Sequence, residues 1–215
     1  MITIQNMTKK FDDRFIFNKL NQTFENGRVY ALIGPSGSGK TTLLNILAHL
    51  EIYDSGQVFY ENKDLAKISA NFYFRHMLGY LFQNFGLLEN KTVKENLNLG
   101  LVGKKFKTNE ASKIQNEALK QVHLDYLPPR QKIYALSGGE AQRVALAKVI
   151  LKDPPLILAD EPTAALDPEN GQEVMSLLLS LKTRKRTIVI ATHNPNVWKM
   201  ADEIIDLRKF TDLRI

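Results

Sequence analysis

The sequence predicts an α/β protein with a mostly parallel sheet and helices on both faces, and three observations lead there. Strand-like apolar runs alternate with helical patterns from residue 136 to 208, the order expected when parallel strands are joined by crossovers. A glycine-rich stretch, GPSGSGKT (34–41), stands between the apolar run RVYALI and a segment of helical spacing. A second apolar run, Leu156 to Ala159, ends in two adjacent acids, Asp160 and Glu161.

The elements follow in order. MITIQNM (1–7) and FIFNKLNQTF (15–24) are β-rich with partial alternation, and Asn26-Gly27 marks a turn between strands. RVYALIG (28–34) reads as a buried strand that ends at the glycine loop. GKTTLLNILAHL (39–50) has Leu43, Leu44, Leu47 and Leu50 at helical spacing. SGQVFY (55–60) and LGYLFQ (78–83) are short strands. From about 90 the texture turns polar, lysine-rich and helical, with LPPR (127–130) near its end. This stretch reads as a helical lobe inserted at about 84–135 into a single domain of 1–215. After it come a helix (136–153), the acidic strand (154–162), a helix (168–183), the strand RTIVIATH (186–193), a helix (195–201) and the strand EIIDLR (203–208).

Composition narrows the classes. Hydrophobic residues make up 44% of 215, enough for a sizeable core. The absence of cysteine excludes a disulfide framework and a thiolate metal site. Lys9 and Lys10 are not followed by an apolar stretch, so no signal peptide is expected, and no apolar run approaches the length of a membrane span. The net charge of +6 reads as a slightly basic surface. The basic runs GKKFKT (103–108) and KTRKR (182–186) lack the length and interleaved aromatics of a nucleic-acid site, so no nucleic-acid partner is expected.

The glycine stretch matches G-x-x-x-x-G-K-[ST] between a strand and a helix, the context in which that pattern cradles phosphate. Glycines let backbone N–H groups converge on phosphate oxygens, and the following helix points its positive end at them. Lys40 would reach the β and γ phosphates, and the Thr41 hydroxyl would bind Mg²⁺. The fixed positions match by chance in roughly one chain of this length in a hundred. A buried parallel strand would deliver Asp160 and Glu161 to the carboxyl edge of the sheet, where α/β folds bind ligands. There Asp160 suits the Mg²⁺ shell and Glu161 suits a base for water. In LSGGE (136–140), Ser137 can cap the next helix, and two glycines let its backbone approach a second anion.

Together these residues resemble the nucleotide-binding subunit of ATP-binding cassette (ABC) transporters. The resemblance rests on the phosphate loop, LSGGEAQRVALAK (136–148), LILADEPTAALD (156–167), Gln83 in YLFQNFGLL and His193 in IATHNP, in family order over residues 1–207. It implies a P-loop NTPase fold with an N-terminal antiparallel β part, ATP and Mg²⁺ as cofactors, and two copies facing head to tail around ATP. Phe11, 23 positions before Gly34, would stack on adenine, where the family more often has tyrosine. Gly34, Pro35, Ser36, Gly37, Ser38, Gly39, Lys40, Thr41 and Thr42 would wrap the phosphates, with Thr41, Gln83 and Asp160 serving the metal. Glu161 would act as general base, His193 would hold the γ-phosphate, and Gln83 completes the catalytic set. Ser137, Gly138, Gly139 and Glu140 would meet the partner copy's ATP, and Asp167 would communicate between the two sites.

The resemblance also implies a transmembrane permease partner, and so a peripheral place on the cytoplasmic face of the membrane. Phe85, Leu87 and Leu88, after Gln83, are the expected exposed docking residues, with the aromatic cluster NFYF (71–74) either beside that groove or in the core. His49, His76 and His123 lack a site context. The subgroup resembled is that of macrolide exporters and lipoprotein release, with bacteriocin-type peptide exporters nearest; the cell-division homologue of that group stays open. The ending KFTDLRI (209–215) leaves no room for the regulatory domain of some importer ATPases, which favours an exporter. A soluble ABC ATPase of translation or repair is the other reading, disfavoured by the single cassette and short insertion. A nucleotide-sensing regulator is disfavoured by the intact Glu161 and His193. The transported substrate is not encoded in any motif.

Overall fold

The computed structural model describes residues 1–106 and 108–210. The last five residues of KFTDLRI and residue 107 of the first basic run lie outside the described residues. Among the described residues two sheets are present. β1 (Ile2–Phe11), β2 (Arg14–Phe24), β4 (Ser55–Tyr60) and β5 (Lys63–Asp64) form an antiparallel sheet in the order β2-β1-β4-β5. β6 (Leu78–Leu81), β7 (Leu156–Asp160), β8 (Thr187–Ala191), β3 (Val29–Ile33) and β9 (Glu203–Asp206) form a parallel sheet in the order β6-β7-β8-β3-β9.

The parallel strands are buried on both faces, so they read as continuous apolar runs, and their side chains divide by the period of two. Leu156, Leu158, Val189, Ala191, Tyr30 and Leu32 point into one core, with α1 (Lys40–Leu47) and the antiparallel sheet. Ile157, Ala159, Ile188, Ile190 and Val29 point into the other. That second core is completed by α3 (Val93–Gly100), α4 (Thr108–Gln121), α5 (Gly138–Lys152) and α6 (Pro168–Ser180). The helices expected at 84–135 are α3 and α4, and they share a core with the sheet through α5.

Several boundaries differ from the sequence reading. The first strand runs on to Phe11 instead of ending near Met7. α1 stops at Leu47, and Leu50, placed on its apolar stripe by spacing, is half exposed beyond His49, which takes a positive φ of 59°. α7 (Pro195–Trp198) is a single turn. A helix without a sequence signal, α2 (Ala70–His76), carries the NFYF cluster and splits it. Tyr73 is fully buried while Phe72 is half exposed. The Tyr73 hydroxyl donates to the carbonyl of Leu47 at 2.9 Å, which satisfies one of the acceptors orphaned at the end of α1. The basic run at 182–186 is exposed from 182 to 185, with Lys182 on Asp202 at 2.7 Å, while Arg186 is largely buried and donates to Asp153 and to the carbonyls of Pro154 and Leu181.

Tyr73→Phe leaves that buried carbonyl without its donor, and urea unfolding should show a loss of about 1–2 kcal/mol. Phe72→Ala, on the outer face of the same helix, should stay within about 0.5 kcal/mol of the parent.

Candidate active site

β3 ends at Ile33, and a compact loop follows in which the Ser38 N–H donates to Pro35 O at 3.2 Å. α1 begins behind Gly39, which stands in the left-handed region at φ 89°, has no side chain to cap the helix, and is followed by no acid in the first turn. The opening N–H groups of α1 therefore keep their dipole for an external anion. Lys40 lies over the same loop, its Nζ donating to Gly34 O at 2.9 Å and Pro35 O at 3.2 Å. Its hydrogen bonds go to carbonyls, so its charge is left for a ligand.

These groups face a cleft of about 590 Å³. Phe11, Ser36, Gly37, Gly39, Lys40, Thr41, Thr42, Gln83, Glu161 and His193 all line it. Gly34, Pro35 and Ser38 form the back of the loop, with Ser38 buried. Arg14, Ile16 and Ala164 also line the cleft and were not singled out from the sequence. A signal for Arg14 exists: FDDR makes a two-residue hairpin turn, so Arg14 pairs in register with Phe11 and shares its end of the cleft. Phe11 is 46% exposed. Beneath it the buried Lys9 places its ammonium 4.5 Å from the ring centroid, held by Glu51 at 2.7 Å.

Asp160, the last residue of β7, is 6% exposed. Desolvation raises its carboxyl above the ordinary range and the adjacent Glu161 adds to this, while the Thr41 hydroxyl and Lys40 oppose it. Its Oδ1 is buried without a hydrogen-bond partner, as is Ser38 Oγ behind the loop. Orphaned buried oxygens are costly unless something serves them. A hard divalent cation fits this donor set: Thr41, Gln83 and Asp160 offer oxygens and one carboxylate, the sparse set that suits Mg²⁺ completed by water and phosphate. Among the described residues no cluster of three His, Cys, Asp or Glu would hold a cation without substrate.

Glu161 has a positive φ of 44°, a conformation costing about 1–3 kcal/mol in a non-glycine residue. It is fixed there by its N–H, which donates to Ala191 O at the end of β8 at 2.9 Å. Its Oε2 lies 3.0 Å from Nδ1 of His193 and receives the His193 N–H at 3.4 Å. A carboxylate held by an imidazole at the cleft mouth can take a proton from water and keep its own orientation.

The signature residues lie elsewhere. Ser137 and Gly138 line a separate cavity of about 170 Å³ with Phe85, Leu87 and Tyr134. The start of α5 is capped, unlike that of α1. Ser137 Oγ accepts from the Glu140 N–H at 3.2 Å, and Glu140 Oε2 accepts from the Ser137 N–H at 2.8 Å. Burial pushes the Glu140 carboxyl up, but the Ser137 backbone and the Tyr126 hydroxyl, at 2.9 Å, hold it below its ordinary value. Gly139 has a packing reason: a Cβ there would stand 2.6 Å from Asn170 Oδ1. Asp167 caps α6 through Asn170 and lines a third cavity of about 520 Å³. Arg143 Nη1 donates to Asn170 at 3.0 Å and Glu173 at 2.7 Å, which ties the signature helix to that loop. Of the three expected docking residues only Leu88 is exposed; Phe85 and Leu87 pack half-buried on the second core, because the turn after Gln83 folds back on α5.

The ABC transporter family model matches residues 17–164. The lipoprotein-releasing system ATP-binding protein LolD of Treponema denticola is 39% identical over 94% of this chain and 92% of its own length. The macrolide export ATP-binding/permease protein MacB of Campylobacter jejuni is 35% identical over 97% of this chain, which spans 33% of that longer protein. The MJ0796 cassette of Methanocaldococcus jannaschii, solved as a post-hydrolysis dimer bound to ADP and Pi, superposes with a TM-score of 0.88 at 33% identity, over 99% of this chain and 95% of its own. ATP-binding proteins named for amino-acid or sulfate import match at similar identity.

Removing the one ammonium over the loop tests the cleft. Lys40→Ala should weaken binding of a fluorescent ATP analogue by about a hundredfold, as expected for a lost charge-assisted contact to phosphate. The melting temperature without nucleotide should stay near that of the parent.

Proposed function

The chain belongs to the ABC transporter family, and we propose that it is the ATP-hydrolysing subunit of a membrane exporter for peptide, bacteriocin, drug or lipoprotein-type cargo. The chain is an ATPase cassette that uses ATP with Mg²⁺, works as a dimer and serves a transmembrane partner. The export direction is supported by the kinship with MacB and LolD.

The observation that carries the reading is the division of the site. One cleft gathers Phe11, the phosphate loop, Gln83, Glu161 and His193, while Ser137 and Gly138 open into another cavity. The cleft of a single chain thus gathers the phosphate cradle and the Glu161–His193 pair without the signature. In our reading a second copy, placed head to tail, brings its signature to the open side of the cleft. The inserted helices, α3 and α4 of the proposed 84–135 lobe, share a core with α5, whose start carries that signature.

In this assignment Phe11 and Arg14 hold the base end. The N–H groups of the loop and of α1 bind the phosphates with Lys40. Thr41, Gln83 and Asp160 would hold Mg²⁺, which when bound would supply positive charge beside the phosphate oxygens. Glu161, aligned by His193, takes the proton of the attacking water. Asp167, tied to Arg143 through Asn170, carries the state of one site toward the other. Among the described residues no helix is long and apolar enough to cross a membrane. In our reading energy reaches the cargo through contact with the permease. Leu88, exposed beside the Gln83 turn, remains our candidate for that contact, at the cytoplasmic face.

Glu161→Gln should bind ATP within about threefold of the parent yet lose at least about a hundredfold in turnover, measured as phosphate release. EDTA should abolish the parent's turnover. ATP should shift the Glu161→Gln chain to a dimer on gel filtration, and adding Ser137→Arg should prevent the shift. Wild-type turnover in Glu161→Gln would refute the assigned base.

A further inference from the structure

The Gln83 turn is held from an unexpected direction. It follows β6 directly, and two consecutive residues, Phe85 and Gly86, take positive φ values of 67° and 60°. Such a pair is unfavourable for phenylalanine and available to glycine. Gly86 is also required by space, since a Cβ there would stand 2.5 Å from the Phe82 ring. Two short-range hydrogen bonds close the turn, Phe85 N–H to Phe82 O at 3.0 Å and Gly86 N–H to Asn84 O at 2.8 Å. Neither fixes it to the rest of the molecule.

Lys148 does. It sits on α5, three turns after the signature, and its Nζ donates to Gly86 O at 2.6 Å across 62 residues of sequence. The side chain runs along a cavity of about 170 Å³ walled by Phe74, Tyr80, Phe82, Leu99 and Val149. Tyr80 and Phe82 stack at 4.1 Å on one side of it. Among the described residues no carboxylate pairs with Lys148, and Gly86 O is its one hydrogen-bond acceptor. Burial, with the like charge of Lys152, pulls its amine down to about 8. A poorly solvated ammonium with a single acceptor holds that acceptor firmly.

We propose that Lys148 is a positioning residue that ties the Gln83 turn to the signature helix, so that the metal-facing glutamine and the surface offered to the partner copy move as one body. The geometry explains why two features so far apart in sequence need a mechanical link. Gln83 faces this chain's own cleft, whereas Ser137 faces outward, and α5 is rigid between Ser137 and Lys148. A change at Gln83 is then transmitted to Ser137 through this hydrogen bond and α5, alongside the packing of Phe85 in the cavity it shares with Ser137 and Gly138. The proposal rests on the reading of Gln83 given above.

The test is steady-state ATP hydrolysis by the full chain, with melting temperature as a control. K148M removes the donor and keeps much of the apolar stem. It should lower kcat about tenfold with the KM for MgATP within about twofold, because the phosphate contacts lie elsewhere. K148R, whose guanidinium also donates to a carbonyl, should keep kcat within about threefold of the parent. Unchanged kcat in K148M would overturn the proposal, and so would equal losses in folded K148M and K148R, since packing alone would then explain them. Should K148M not fold, K148Q against K148R decides: a low kcat in K148Q alone supports the tether, and equal values overturn it. Gln83→Ala separates the two readings. If it leaves kcat unchanged, the role of Gln83 fails; if it lowers kcat while K148M does not, only the tether fails.

Discussion

The site depends on opposite charges set close together at the carboxyl end of the parallel sheet, each only partly met by the other. On one side are the uncapped N-terminus of α1 and the Lys40 ammonium, bonded to carbonyls only. On the other is Asp160, nearly buried, with one oxygen unpartnered. In water these groups would be hydrated; here the sheet and α1 exclude much of that water. Interactions in such a place are stronger than at a surface, and unmet ones are more costly. Phosphate and Mg²⁺ together satisfy both signs, which neither does alone. The strand order supplies the geometry: β8 lies between β7 and β3, so the acids, the His193 segment and the phosphate loop leave the same edge.

The two helix starts differ in a way that fits their separate tasks. α1 begins with glycine and no cap, so its dipole is open to a strongly held ligand. α5 begins with a complete capping box, which engages the N–H groups of Ser137 and Glu140 but not those of Gly138 and Gly139. A capped start is stable without ligand, as a surface that waits for a second copy must be. Arg143, 10% exposed at its side chain, and Asn170 then join this helix to the Asp167 cap. Signature, Asp167 cap and Gln83 turn all converge on α5, which in our reading makes that helix the framework for communication.

The phosphate loop, the acidic strand end and the β/α alternation were legible because each is local. A strand–glycine–helix junction or a run such as LILAD expresses its structure through neighbouring residues and a period of two or 3.6. Less legible were features made by distant faces. Phe85 and Leu87 read as exposed by hydrophobicity and proximity to Gln83, yet two left-handed residues fold them back onto α5. Gly139 read as an anion approach, and the structure adds the side chain of Asn170, which would collide with any Cβ there. The Tyr73 helix carried no signal because its apolar residues are clustered and its cap is weak.

By itself the sequence determined the local motifs: a glycine-rich strand–helix junction that our reading takes as the phosphate cradle, a pair of carboxylates at a strand end, and strands and helices that alternate around them. These follow from backbone conformations that short motifs fix, and from side chains whose roles are set by what lies next to them. Only the tertiary structure decided who meets whom across the fold. It placed Lys9 beneath Phe11, Arg14 in the cleft, His193 on Glu161, the signature in a cavity of its own and Lys148 on Gly86. The reason is that a side chain's burial and partners depend on the packing of faces far apart in the chain. Periodicity shows that a face exists; it does not show what covers it.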